Sequence, residues 1–146
     1  GEGGPLAVVE QGRVRVLRIA PPASAAWAES RLASLPPAAD WPWVEIVTSH
    51  ACADARLVGA LVQQGVRGLV VAGTGNGSVH HALEAALLHA MERGVAVRRA
   101  TRCAEGMVLP HAGDVLPDSQ GLSPVKARIA LMLDLMTGAG LSRPAP

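Results

Sequence analysis

The polar side chains best placed for chemistry lie in a glycine-rich loop. An apolar run over residues 68–72 ends in Gly73-Thr74-Gly75-Asn76-Gly77-Ser78. Glycines at alternate positions let the backbone turn sharply and come close to a ligand. Asn76 offers an amide and Ser78 a hydroxyl, and both groups form hydrogen bonds with polar ligands. A binding site for a small molecule is therefore expected at this loop.

The same loop differs by one residue from a dinucleotide-binding pattern. In G-x-G-x-x-G counted from Gly73, Ser78 takes the place of the last glycine. Such sites usually have an acidic residue about 20 residues further on, which holds a ribose hydroxyl. This chain has Arg98, Arg99 and Arg102 in that region, so only a phosphorylated dinucleotide would suit it. A stand-alone domain that binds a small ligand or a dinucleotide, without hydrolase activity, therefore stays open as an alternative function.

The histidines and cysteines do not form a recognisable metal-binding motif. Neither paired C-x-x-C spacing nor H-E-x-x-H occurs, so no metal site and no cofactor are predicted. Cys52 and Cys103 are too few for a disulfide framework and are predicted to be buried free thiols. The residues considered for a metal site are His50, Cys52, His80, His81, Cys103 and His111.

Composition limits the partners of the chain. Its 146 residues are 49% hydrophobic and 17% charged, with a net charge of +1. This balance gives no electrostatic reason to expect nucleic acid or an anionic membrane as a partner. No apolar run approaches the length of about 18 residues that a membrane helix needs. A soluble protein is predicted, and the compartment stays open between cytoplasm and periplasm.

Short apolar runs alternate with helical patterns around the loop. The runs over residues 44–47, 68–72 and 95–97 read as buried parallel strands, and a helix is predicted over 79–93 with Ser78 as its N-cap. Two further helices are predicted, one between Asp54 and Gly65 and one starting at Ser123-Pro124.

These elements indicate an α/β fold, doubly wound, with a mainly parallel sheet flanked by helices. An amino-terminal β-hairpin precedes it, with arms over residues 6–9 and 13–19. The expected organisation is a hairpin and linker over residues 1–40, the main domain over 41–140 and a tail over 141–146.

The ordered motifs of the chain resemble the carboxy-terminal domain of the bacterial L-asparaginase family. Gly68-Leu-Val-Val-Ala-Gly-Thr-Gly-Asn-Gly-Ser78 is similar to the family's glycine loop. Gly94-Val-Ala-Val-Arg-Arg-Ala-Thr-Arg102, Gly106-Met-Val108 and Leu122-Ser-Pro-Val-Lys-Ala-Arg128 follow in the family's order. The resemblance covers nearly the whole chain and implies a Rossmann-like domain over 41–140 from an amidohydrolase.

The family's enzymes hydrolyse the side-chain amide of Asn, and often Gln, with a threonine nucleophile in an amino-terminal domain. None of this chain's threonines, at positions 48, 74, 101 and 137, stands in the family's catalytic motifs. Lys126 is the sole lysine and there is no tyrosine. The resemblance therefore implies no catalytic residue here, an inactive isolated chain, and a separate amino-terminal catalytic domain as its partner.

The resemblance also implies a supporting role for this domain in a homo-oligomer. In the family it completes the substrate site of a neighbouring subunit by binding the α-amino end of the amino-acid amide. The family's polar loop residue corresponds to Ser78, and Asn76 is expected to line the same site. Gly113 stands where the family has a glutamate, so Asp114 is the candidate acid and Asp118 the alternative. Preference between Asn and Gln stays open.

Overall fold

The computed structural model describes residues 7–16, 35–104, 106–109 and 111–138. The chain divides into two units, Gly1–Ser34 and Leu35–Pro146. In the first unit, strand β1 (Ala7–Glu10) pairs antiparallel with strand β2 (Arg13–Val16). Gln11 and Gly12 join the strands with φ angles of 48° and 76°, and such positive angles are typical of a tight hairpin turn. The predicted hairpin is confirmed, and the parts of its arms at residues 6 and 17–19 lie outside the described residues.

The second unit contains a parallel sheet of three strands. They are β3 (Val44–Thr48), β4 (Gly68–Gly73) and β5 (Ala96–Thr101), in the order β3-β4-β5. The central strand β4 pairs on both sides and is buried at all six positions. Its unbroken apolar run follows from this position, because a strand covered on both faces has no side chain facing water.

Helices cover both faces of this sheet. They are α1 (Ala55–Gln63), α2 (His81–Glu92) and α3 (Pro124–Thr137). Leu69 and Val71 of β4 face one core together with apolar residues of α1 and α2, such as Val58 and Leu87. Val70 faces the opposite core with Leu131 of α3. The predicted doubly wound α/β fold is confirmed, and the carboxyl ends of all three strands meet at one edge of the sheet.

The helix ends follow the local sequence signals in two cases. Asp54 caps α1, because its carboxylate accepts a hydrogen bond of 2.9 Å from the Arg56 backbone N–H. Gly138 ends α3 in the left-handed conformation with a φ of 64°. None of the helices in the described ranges is long and apolar enough to cross a membrane.

The prediction that Cys52 and Cys103 are buried is wrong. Both thiols are free and exposed. Each cysteine follows a strand by a few residues, at the edge where the chain leaves the sheet and turns into solvent. The buried apolar pattern ends with the strand itself, so it gives no information about the first residues of the loop.

Candidate substrate-binding cleft

The glycine-rich loop folds back on itself before the helix begins. The backbone N–H of Ser78 donates to the Thr74 carbonyl at 2.7 Å, and the N–H of Thr74 donates to the Ser78 carbonyl at 3.2 Å. Gly75 and Gly77 lie between them with φ angles of 49° and 79°. These angles explain the two glycines, since residues with a side chain rarely adopt them.

Gly73 is required for a different reason, the close approach of its own loop. A Cβ atom on Gly73 would lie 2.6 Å from the Gly77 carbonyl carbon and 2.8 Å from the Ser78 carbonyl oxygen. Backbone atoms stand at both contacts, so no side-chain rotation relieves them. The closed shape of the loop therefore requires a residue without a side chain at this position.

Asn76 fastens the tip of the loop to the segment after β5. Its side-chain N–H donates to the Leu109 carbonyl at 3.0 Å, and its side-chain oxygen accepts from the Leu109 N–H at 2.6 Å. Thr101 adds a second attachment, with its hydroxyl donating to the Gly75 carbonyl at 2.7 Å. The loop is thus held against β5 and against Leu109 in the segment that follows this strand.

Ser78 does not cap the following helix, so that prediction is wrong. Helix α2 begins at His81, and the ring Nδ1 of His80 accepts the hydrogen bond from the Ala82 N–H at 3.3 Å. The His80 N–H is also occupied, because it donates to the Ser49 hydroxyl at 2.9 Å. The backbone of Ser78 belongs to the closed loop, so Ser78 lies before the first turn of α2. Its own hydroxyl makes no hydrogen bond with the described residues and is exposed.

This arrangement bears on the dinucleotide alternative. A pyrophosphate in a dinucleotide-binding fold sits on free N–H groups at the start of the helix that follows the glycine loop. In this chain the N–H groups of His80 and Ala82 already bond to Ser49 and His80. The loop also closes between Thr74 and Ser78. The closed loop and the two occupied N–H groups therefore leave fewer donors for a pyrophosphate than a dinucleotide-binding helix start offers.

All three residues predicted to bind substrate line one cleft. The cleft has a volume of about 370 Å³ and lies beside the glycine loop. Asn76 and Ser78 come from the loop, and Asp114 comes from the segment after β5. The other lining residues are Val79, Glu84, Arg99, His111, Gly113 and Val115.

Asp114 is held in place by neighbours on two sides. Its Oδ2 accepts from the His111 backbone N–H at 2.9 Å, and its Oδ1 lies 3.2 Å from the His111 ring Nε2. Oδ1 also lies 2.7 Å from Nη2 of Arg99, whose side chain is buried. That contact is poorly aligned for a hydrogen bond, so it is best described as an ion pair.

Asp118, the alternative acid, has a different position. Its carboxylate accepts a hydrogen bond from the Gln120 N–H, and its backbone bridges to Arg99 at the edge of β5. It does not line the cleft. The family resemblance gave Asp114 as the candidate and Asp118 as the alternative, and Asp114, after the turn at Gly113 with its φ of 97°, is the one that lines the cleft.

Asp114 should make the stability of the chain depend on pH. The hydrogen bond from the His111 N–H, followed by the Arg99 guanidinium, lowers the pKa of Asp114, although partial burial opposes them. A carboxyl whose pKa is lowered by folding stabilises the protein when the pH is above its pKa in the unfolded chain, which is about 3.9. This contribution is lost as the pH falls through the pKa of the folded state.

We therefore expect Asp114→Asn to reduce the free energy of unfolding at neutral pH and to change it little in strong acid. Urea unfolding of the wild type and the variant, measured from pH 7 down to about pH 2, checks this expectation. The difference between the two proteins should shrink as the pH falls. A difference that stays constant over that range would mean that the Asp114 charge contributes nothing.

Two charged residues of the cleft, Arg99 and Glu84, were not identified as site residues from sequence. Arg99 is a cation in a buried strand, and that conflict with the apolar pattern of β5 is the signal that would have found it. Glu84 lies in the first turn of α2, where an acid is common for helix stability alone. No local signal distinguishes Glu84, because only the fold brings it next to the loop.

The candidate metal ligands do not assemble into a site in the described part of the chain. No group of three or more His, Cys, Asp or Glu residues that could hold a metal ion is present among the described residues. His50 and Cys52 instead line a second cleft of about 320 Å³ beyond the end of β3, together with Asp54.

The fold and the cleft define a class of protein. A doubly wound α/β domain carries a closed glycine loop at the carboxyl end of its central strand, with polar and charged residues converging beside it. Residues 43–143 match the glutaminase/asparaginase C-terminal domain family. The chain therefore belongs to this family, as its ordered motifs predicted.

Two curated relatives show the extent of the similarity. The chain is 40% identical over 97 residues to L-asparaginase 2 of Bacillus subtilis (strain 168), which covers 64% of this chain and 26% of that protein. It is 33% identical over 140 residues to the glutaminase-asparaginase of Pseudomonas fluorescens biotype A, which covers 90% of this chain and 37% of that protein. The chain thus spans between a quarter and two fifths of the length of these relatives.

Proposed function

We propose that this chain is the carboxy-terminal domain of an L-asparaginase/glutaminase-type amidohydrolase. In this proposal it acts in a homo-oligomer and completes the amino-acid binding site of a partner subunit. The observation that carries the proposal is the convergence of Asn76, Ser78 and Asp114 on one cleft. Membership of the family supports the parent class, and both relatives bear the names of such hydrolases.

The cleft suits the α-amino end of an amino-acid amide. Ser78 presents a hydroxyl that is not used by the described residues, and this group accepts hydrogen bonds from an ammonium. Asp114 adds negative charge, and a bond from an ammonium to a carboxylate is charge-assisted. Asn76 uses its side-chain oxygen and one N–H on Leu109, so its role is to position the loop.

The isolated chain is proposed to be inactive. Among the described residues, no hydrogen bond joins a threonine hydroxyl to a base that would make it nucleophilic. The hydroxyl of Thr101 donates to the Gly75 carbonyl and that of Thr137 donates to the Leu133 carbonyl. The one lysine, Lys126, lies on α3, whereas the cleft lies at the carboxyl edge of the sheet. In this proposal the nucleophile comes from an amino-terminal domain of the same protein.

Mixed subunits of the longer protein that carries this domain test the proposal. One subunit carries Ser78→Ala and Asp114→Asn, and the other has its catalytic threonine replaced. When each site combines a threonine from one subunit with this cleft from its neighbour, one of the two sites in a heterodimer is intact. Ammonia release from asparagine at low substrate concentration should then recover to about half of the wild-type rate.

The parent homo-oligomers and the isolated 146-residue chain are the controls. Each should release ammonia slowly or not at all, and urea unfolding should show that each variant is folded. Heterodimers of verified composition that are no more active than their parents would show that the cleft serves its own subunit or no active site. Ammonia release by the isolated chain, lost when Ser78 or Asp114 is replaced, would contradict its proposed inactivity.

A further inference from the structure

Glu84 is a carboxylate of the cleft without a described partner. It lies in the first turn of α2, is half-buried and lines the same space as Ser78 and Asp114. Its carboxylate makes no hydrogen bond or ion pair with the residues that the structure describes. Glu92 at the other end of the same helix differs, because its carboxylate lies 3.2 Å from the His89 ring.

The charge of Asp114 is, by contrast, already compensated. One of its oxygens accepts from the His111 N–H, and the other faces the Arg99 guanidinium at 2.7 Å and the His111 ring at 3.2 Å. An ammonium that approached Asp114 would compete with a permanent cation at the same oxygen. A carboxylate paired in this way attracts a second cation less than an unpaired one does.

The base of the cleft carries a second sign of an absent ligand. The Arg99 side chain is 9% exposed, and its Nε has no hydrogen-bond partner among the described residues, whereas its Nη2 is paired with Asp114. Buried N–H groups without a partner are rare, and each requires a bound molecule or a water to satisfy it. The cleft therefore has a buried cation at its base, an uncompensated carboxylate on its helical wall and the Ser78 hydroxyl on its loop wall.

We infer that Glu84 binds the α-ammonium group of the amino-acid substrate and supplies the net negative charge that this recognition requires. The inference rests on the proposed function and deepens it, because it adds the residue that distinguishes an amino acid from a related acid without the amino group. Asp114 and its ion pair with Arg99 then shape the loop around Gly113 and contribute a weaker share of the attraction.

Kinetics of the longer protein with a matched pair of ligands test this inference. Glu84→Gln keeps the shape of the side chain and removes its charge. We expect the KM for L-asparagine to rise by about tenfold or more with kcat unchanged, since a lost hydrogen bond between two charged groups has at least that effect. The inhibition constant of 3-carbamoylpropanoate, which is asparagine without its amino group, should not rise. Glu92→Gln removes a carboxylate from the same helix outside the cleft and should leave both values unchanged.

The outcomes separate this inference from the proposed function. If Ser78→Ala and Asp114→Asn raise the KM for L-asparagine but Glu84→Gln does not, the assignment to Glu84 is wrong and the proposed function stands. If Glu84→Gln weakens asparagine and 3-carbamoylpropanoate equally, its effect is not on the ammonium group and the inference is again overturned. If none of the three variants changes KM, the cleft is not part of the active site and both proposals fail.

Discussion

Replacing Gly73 by alanine should destabilise the domain by about 3 kcal/mol, near the upper end for an added methyl group in a packed site. The new Cβ would stand 2.6 Å from the Gly77 carbonyl carbon and 2.7 Å from its oxygen. The strand before Gly73 is buried and paired on both sides, so it has no room to move away. The loop must open instead, and the bridge between Thr74 and Ser78 is lost with it.

Urea unfolding of the wild type and Gly73→Ala measures this effect, with Gly59→Ala as the matched control. Gly59 lies in the middle of α1, and a Cβ there would meet no atom within 4 Å. Alanine favours a helix over glycine by up to about 1 kcal/mol, so the same substitution should stabilise the protein at Gly59. A Gly73→Ala protein with wild-type stability would show that the loop is not closed in solution.

Replacing Thr101 by valine should cost about 2 kcal/mol of unfolding free energy through lost hydrogen bonds. The Thr101 side chain is buried at the end of β5, and its hydroxyl donates to the Gly75 carbonyl at 2.7 Å. The same oxygen accepts from the Cys103 N–H at 3.1 Å. Valine keeps the shape of the residue but leaves both backbone groups without this partner.

Thr101→Ser is the control for this prediction, because it retains the hydroxyl and loses only the methyl group. The serine variant should be closer in stability to the wild type than to the valine variant when all three proteins are unfolded in urea. Amide resonances of Gly75 and Asn76 should shift in the valine variant and stay near their wild-type positions in the serine variant. Equal loss of stability in the two variants would assign the effect to packing and not to the hydroxyl.

The order of elements in the second unit was predictable because the buried strands are short, apolar and separated by helical patterns. The run over residues 68–72 became β4, and its burial at every position explains why no polar residue interrupts it. The strand β5 was harder to delimit. It continues through Arg98 and Arg99 to Thr101, beyond the predicted run over 95–97, because its backbone pairs with β4 whatever side chains it carries.

The start of α2 could not be predicted correctly from residue preferences. Ser78 is a favoured N-cap residue, and the apolar pattern begins immediately after it. The backbone of Ser78, however, pairs with Thr74 and closes the loop, which delays the helix to His81. That pairing depends on close packing at Gly73 and on two glycines in the left-handed conformation. Helix propensity scales describe neither of these features.

The cleft was predictable only in part, from the glycine loop itself and from the family resemblance. Asp114 was found from the resemblance, whereas the glycine loop was predicted from its own residues, and both line the same cleft. Arg99 and Glu84 were not found, because they come from two other elements and meet the loop only in the folded chain. An ion pair such as that between Arg99 and Asp114 joins residues from separate elements, and periodicity within one element gives no information about it.

The two loop walls of the cleft should differ in how readily they open. The glycine loop continues directly from β4, whose amides bond within the sheet on both sides and should exchange with solvent only on global unfolding. Asp114 lies in residues 111–122, before α3, which join the sheet through the bridge between Arg99 and Asp118 and through the ion pair between Arg99 and Asp114. Amide exchange in that segment should therefore follow a local opening of low free energy. We therefore expect a ligand to enter and leave on the Asp114 side, while Ser78 stays fixed to β4.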